Sequence, residues 1–196
     1  MTTKLQPRLR QAERGERTVL FVDAAHFVYG PFLGFLWCLV RLFVPGPSGR
    51  KRYNVLAALN AVTHEVMRVA NHSYINAESV GALLRQVAAA GLPKPITLVL
   101  DNARYQRCEL VQSLARSLRI ELLFLPSYSP NLNLIERLWK FVKKACLASR
   151  VLSDYEIFTQ TIDACLNSLG TKYEEQMATL LTLNFQIYDD EPVLAA

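Results

Sequence analysis

Two aspartates close two short runs of the same make-up. Thr18–Val22 (TVLFV) leads into Asp23, and Ile96–Leu100 (ITLVL) leads into Asp101. Short runs of β-branched and large apolar residues read as buried strands. In an open α/β sheet the ligand crevice lies beyond the carboxyl ends of parallel strands. Neighbouring parallel strands would therefore bring both carboxylates to one crevice. Two close carboxylates repel unless a proton or a cation sits between them. A hard divalent ion such as Mg²⁺ suits oxygen ligands and keeps open water positions. A plainer reading also stands: each aspartate caps the turn after its strand.

A third acid, Glu136, opens a helix expected from about Leu134 to Ala148. At about 100° per residue, Glu136, Arg137, Lys140, Lys143 and Lys144 share one side. Leu134, Ile135, Leu138, Trp139, Phe141, Val142, Ala145 and Cys146 fill the other. Glu136 thus begins a basic face whose back is anchored in the core, and the lysines can reach phosphates. Two structural readings compete. Asn133 and Glu136 have the spacing of a capping box, and Glu136 with Lys140 that of an i,i+4 ion pair.

The elements that must hold these side chains follow from the rest of the chain. Met1–Arg17 carries Lys4, Arg8, Arg10, Arg14 and Arg17 against Glu13 and Glu16, a mobile or helical lead-in. Tyr29 to Gly49 is rich in Gly and Pro around the apolar run Phe32–Val44, and reads as an excursion, a buried hairpin. That run is too short to span a bilayer and contains Arg41. Tyr53–Leu59 and Val66–Asn71 suit an antiparallel pair with a turn near Thr63 and His64. Helices are expected over Ala77–Ala90, stopped by Gly91 and Pro93, and over Tyr105–Leu118. A strand over Ile120–Leu125 then meets a rigid loop, Pro126–Asn131. One or two covering helices follow Ser153, before an acidic tail at Asp189, Asp190 and Glu191. Strands that come early and then alternate with helices indicate an α/β domain with a mixed sheet.

Composition adds bounds rather than identity. A chain of 196 residues, 51% hydrophobic and 20% charged, fits one globular domain. A net charge of +5 permits a polyanionic partner without requiring one. Cys38, Cys108, Cys146 and Cys165 form no C-x-x-C pair, which argues against zinc and for reduced thiols. The polar, basic N-terminus lacks the apolar stretch of a secretion signal, so a cytoplasmic protein without a membrane segment is expected.

The blocks FVDAAHF, LVLDNARY and LPSYSPNLNLIERLWKFVKK together resemble the three active-site blocks of the mariner-like DDE transposases, in their bacterial insertion-sequence 630 branch. The 34 residues between Asp101 and Glu136 match a separation found in that superfamily. The Tyr-Ser-Pro-x-x-N loop leading into an Ile-Glu helix is the most specific part. The resemblance runs from about Thr18 to Ala148. It implies a ribonuclease H-like fold, a five-stranded mixed sheet flanked by helices. It also implies that Asp23, Asp101 and Glu136 are the catalytic residues and jointly bind two Mg²⁺ or Mn²⁺ ions. The implied chemistry is cleavage of DNA strands and transfer of transposon ends to target DNA, with one ion activating the nucleophile and the other steadying the leaving oxygen. On this reading residues 1–17 are a basic lead-in, 18–150 the DDE core and 151–196 the C-terminal covering helices and tail.

The resemblance also sets secondary expectations. Members carry an N-terminal helix-turn-helix region, while 17 residues precede the first strand here. A separately encoded helix-turn-helix subunit is one expectation and a remnant is another. The excursion from His26 to Arg52 lies where some relatives insert a segment reaching a partner, so a homodimer with contact through Phe32–Val44 is expected, with core packing an equal alternative. His26 and Asn102 are supporting candidates, His26 positioning DNA or a water and Asn102 bonding its neighbour or closing the turn. Asn131 and Asn133 read as caps. Arg50, Lys51 and Arg52 join the helix cations, Arg137, Lys140, Lys143 and Lys144, as candidate DNA contacts. Two rival functions remain: a catalytically silent remnant that binds DNA or a full-length transposase, and a nuclease acting on RNA–DNA hybrids or junctions.

Overall fold

The computed structural model describes residues 2–30, 39, 51–126 and 133–185. Its strands are β1 (Thr18–Val28), β2 (Arg52–Asn60), β3 (Val66–Asn71), β4 (Ile96–Leu100) and β5 (Ile120–Phe124). They form one sheet in the order β3-β2-β1-β4-β5. β1 pairs antiparallel with β2, and β2 with β3, whereas β4 runs parallel to both β1 and β5. This is the mixed five-stranded sheet of the sequence reading. TVLFV and ITLVL are indeed parallel neighbours, in register from Thr18↔Ile96 to Val22↔Leu100.

Helices α1 (Thr2–Glu13), α2 (Ala77–Ala89), α3 (Glu109–Ser117), α4 (Ile135–Val142), α5 (Tyr155–Asn167) and α6 (Glu174–Leu180) flank the sheet. Side chains alternate across a strand, and here the alternation splits the core into two layers. Val19, Phe21, Ala25 and Phe27 of β1 pack with Leu9 of α1, Leu138 of α4 and Ile162 of α5. Leu20 and Val22 face the other way, against Leu83 and Leu84 of α2 and Val111 of α3.

The lead-in takes the helical alternative. Leu5, Leu9 and Ala12 of α1 are buried in the first layer. α2 starts at a capping box in which Asn76 accepts from the Ser79 amide. Its chain reverses at Gly91, whose φ of +65° suits glycine.

Two elements differ from expectation. β1 does not end at Asp23 but continues to Val28, because β2 supplies a partner along its length, from Leu20↔Asn60 to Val28↔Arg52. The helix expected over Tyr105–Leu118 is broken into a 3₁₀ turn, Arg104–Gln106, and α3. Cys108 between them is extended, with ψ of 156°. The Phe32–Val44 excursion lies outside the described residues except for exposed Leu39. Cys38, Asn131, the acidic tail and most of the Pro126–Asn131 loop also lie outside them. No helix among the described residues is long and apolar enough to cross a membrane.

Candidate active site

Parallel pairing stops at Val22↔Leu100, and the next residue on each strand is an aspartate. Asp23 stays in the ladder with β2, opposite Ala57. It shares the parity of Phe21 and Ala25, so its side chain belongs to the α4 layer. There the Trp139 indole Nε1–H donates to Asp23 Oδ2 at 3.1 Å. A mid-strand residue bonded to a distant helix is no turn cap. Burial pushes the Asp23 carboxyl up to about 7, and the charges of Asp101 and Glu136 add to the rise. The Ala24 backbone and the Trp139 indole partly offset it. Asp101 and Glu136 therefore both act on Asp23, although they are far from it in sequence.

Asp101 is exposed and makes a long contact, 3.4 Å, from the Ala103 amide to its Oδ1. The next residue, Asn102, has φ of +83° and so closes the turn through its backbone. Its Oδ1 is buried without a partner. The 3₁₀ turn that follows brings Tyr105 to the same end of the sheet. Burial first, and then Asp101 and Asp23, raise its phenol to about 12, so it remains a protonated donor beside the acids.

Glu136 lies in the first turn of α4. The helix is fixed by Ile135, Leu138, Trp139 and Val142, each at most 4% exposed. Burial of such side chains stabilises by about 1.5–3 kcal/mol apiece. α4 then loosens into a π-helical turn, Lys143–Leu147. Neither structural reading of Glu136 matches this geometry. α4 has no side-chain cap, and Asn133 Oδ1 is buried and unpaired. Among the described residues no ion pair joins Glu136 to Lys140. The carboxylate is held in place by its helix but not used by it.

The three acids do not form a closed cluster. Among the described residues no group of three His, Cys, Asp or Glu side chains is gathered closely enough to hold a metal ion. The donor set nevertheless fits a hard divalent cation: three oxygen ligands, mutually repelling, with no cationic side chain among the influences on Asp23.

The remaining candidates divide. His26 is three residues from Asp23 on the same strand and so points through the opposite face, where its Nδ1 meets Asn54 Oδ1 at 2.7 Å. It does not join the acids, and a strand ended at Asp23 had concealed that parity. Arg137 is half-buried and already occupied. Its guanidinium donates to the carbonyls of Leu180, Thr182 and Asn184 and lies over the Phe185 ring. Lys140, Lys143 and Lys144 are exposed, as expected of a basic face. Lys51 and Arg52 are exposed at the start of β2, Lys51 lying 5.3 Å from the Tyr155 ring centroid. Arg50 is outside the described residues. Cys108, Cys146 and Cys165 are free thiols. The sequence reading placed Trp139 only among core residues. The clue was its indole N–H, which needs an acceptor once buried.

Residues 41–159 match the family described as DDE superfamily endonuclease, a span that includes Asp101 and Glu136 but not Asp23. The insertion element IS630 uncharacterized 39 kDa protein of Shigella sonnei is 30% identical over 130 residues, which are 64% of this chain and 37% of that protein. The chain thus spans little more than a third of the curated relative it matches. Among solved structures, the catalytic domain of Mos1 mariner transposase superposes with a TM-score of 0.58 at 16% identity, covering 93% of this chain and 90% of that one. The Mos1 mariner paired-end complex with Mn gives 0.58 at 16% identity, over 94% of this chain and 61% of that one. At such identity the likeness is one of fold, the ribonuclease H-like sheet that the three sequence blocks implied.

Proposed function

The chain belongs to the DDE superfamily endonucleases, and from that premise we propose that it is a transposase catalytic domain that cleaves DNA strands and joins them to target DNA with divalent metal ions. The observation carrying this reading is the set of three acids: Asp23 and Asp101 just past the last β1–β4 pair, and Glu136 in the first turn of α4. Asp23 is pushed to about 7 by burial and by the charges of the other two, and Glu136 has no structural task of its own. Their likeness to the Mos1 fold, solved in one complex with Mn, supports a pair of Mg²⁺ or Mn²⁺ ions held between Asp23, Asp101 and Glu136.

Each side chain has a part. Asp23, half-buried and hydrogen-bonded, is the fixed ligand. Asp101 and Glu136 close on it by side-chain rotation, since catalytic geometry tightens on substrate binding. The ions, when bound, supply an activated nucleophile and charge neutralisation for in-line displacement at a phosphodiester. Tyr105 offers a proton-bearing hydroxyl at the rim. Lys140, Lys143 and Lys144 extend from Glu136 as phosphate contacts that set the duplex in register without reading sequence. Lys51 and Arg52 serve a more distant stretch of backbone. Transposon ends and target DNA are the partners, a homodimer is the working form, and a helix-turn-helix unit supplies the choice of ends. The protein works among nucleoid DNA in the cytoplasm.

The test is Mg²⁺- or Mn²⁺-dependent nicking of duplex DNA by the chain, with Asp101→Ala as control. Nicking that disappears with EDTA and in Asp101→Ala is the expected result. Folded protein that binds DNA and leaves it intact in either metal would instead favour the silent remnant.

A further inference from the structure

We propose that Trp139 is a positioning residue that sets how Asp23 meets its metal ion, an inference that rests on the metal-site reading above. The sequence presents Trp139 as one more core side chain of α4. The structure gives it a second task. Its ring is 4% exposed and packs edge-on against Phe27 of β1, with centroids 6.2 Å apart and planes at 81°. That contact fixes the indole plane, and the plane fixes the direction of the N–H. The N–H points to Asp23 Oδ2 at 3.1 Å.

The consequence lies in what remains of the carboxylate. The indole occupies one lone pair of Oδ2, so Oδ1 is the freer atom for a cation, and rotation of the carboxylate about its last bond is restrained. Groups that hold a ligand from behind tune metal affinity in this way. Position in the sequence matters too. Trp139 stands three residues after Glu136, close to one helical turn. The same turn of α4 therefore carries the third acid and the group that orients the first. This hydrogen bond, added to the packing of Leu138 and Trp139 against β1, ties the strand that bears Asp23 to the helix that bears Glu136.

A buried tryptophan finds an acceptor for its N–H in most settings, so packing and positioning have to be separated. Trp139→Phe keeps a ring against Phe27 and removes the donor. Mn²⁺ binding to the full chain, followed by the paramagnetic resonance of free Mn²⁺, reports on the site without catalysis. The expected result is affinity weakened about 10-fold or more in Trp139→Phe, with a melting temperature lowered by about 5 °C. Asp23→Ala weakens binding as well, and the double variant binds no worse than Asp23→Ala alone, because the effect runs through Asp23. Should Trp139→Phe fail to fold, replacement by benzothienylalanine, a near-isostere without the N–H, gives the same readout. Wild-type affinity in the folded variant overturns the positioning role, as does further weakening in the double variant. If Asp23→Ala binds Mn²⁺ like the wild type, the metal-site reading fails first and takes this one with it.

Discussion

Glu121 and Asp23 are carboxylates on the same face of the same sheet, at opposite ends, and they are treated in opposite ways. Glu121, near the start of β5, accepts from Arg8 through a paired contact, from Arg17 Nη1 at 2.8 Å and from Thr97 Oγ1 at 2.8 Å. The Arg8 hydrogen bonds lead in lowering its carboxyl to about 2. Asp23, just past the last β1–β4 pair, receives only neutral N–H groups, from the Ala24 backbone and the Trp139 indole, and is pushed up to about 7. The first carboxylate is satisfied by the protein and ties α1 to the sheet. The second is left short of positive charge, and a protein gains stability by not doing so. Such an arrangement is kept where a cation is to be bound. The contrast sets a structural carboxylate against the one proposed as a metal ligand, without reference to any relative.

The largest effect expected from breaking that contrast is on chemistry. Asp23→Asn should lower metal-dependent DNA cleavage about a thousandfold or more, since metal-borne charge stabilisation is worth several kcal/mol. Glu121→Gln should leave cleavage within a few-fold. Equal losses in the two variants would erase the distinction.

Stability should move the other way. Native Asp23 binds its proton below about 7, whereas an unfolded aspartate holds one only below about 3.8. Between those values the native state carries more protons, so metal-free wild type loses stability as pH rises through the window. Asp23→Asn lacks that slope. It should be roughly 2 kcal/mol more stable than wild type near pH 8, within the ~4 kcal/mol that three pKa units represent, and should show no gain near pH 3. Urea titrations across pH decide this, and parallel curves for the two proteins would refute it.

For Glu121 the sign reverses. Its depressed carboxyl stabilises the fold above about 4.5, and that contribution fades as pH falls towards 2. The side chain is 37% exposed, which screens the ion pairs. A loss of about 1 kcal/mol is therefore expected for Glu121→Gln at neutral pH, shrinking in acid.

The smallest effect concerns DNA affinity. Lys143→Ala should flatten the dependence of log K on log salt by up to about 0.9, the share of one phosphate contact. Arg137→Ala should leave the slope unchanged, because its donors already hold the Leu180–Asn184 carbonyls. A flatter slope in Arg137→Ala would return that residue to the DNA face.

Much of the fold was legible because local pattern and burial agree. TVLFV and ITLVL are apolar on both faces, as strands covered on both sides must be. The end of α2 follows from Gly91 and Pro93, whereas its Asn76 cap was seen only in the structure. α4 shows its buried side in the spacing of Ile135, Leu138, Trp139 and Val142. The errors arose where a partner overrode local preference. Asp23 looked like a strand end because aspartate is a poor strand former, yet β2 carries β1 five residues further. Once the strand continued, alternation sent His26 to the opposite face. Arg137 looked like its lysine neighbours until the segment after α6 came to lie across it.

The amino-acid sequence alone determined which side chains could ligate a hard cation, the two apolar strand segments that lead into the aspartates and the basic stripe behind Glu136. Residue type and periodicity are local properties, written in the chain itself. Tertiary structure alone decided that Asp23 is half-buried and largely desolvated, that the other two acids raise its proton affinity, and that an indole 116 residues away holds one of its oxygens. Desolvation and charge repulsion depend on distance in space, and only the folded sheet brings those groups together.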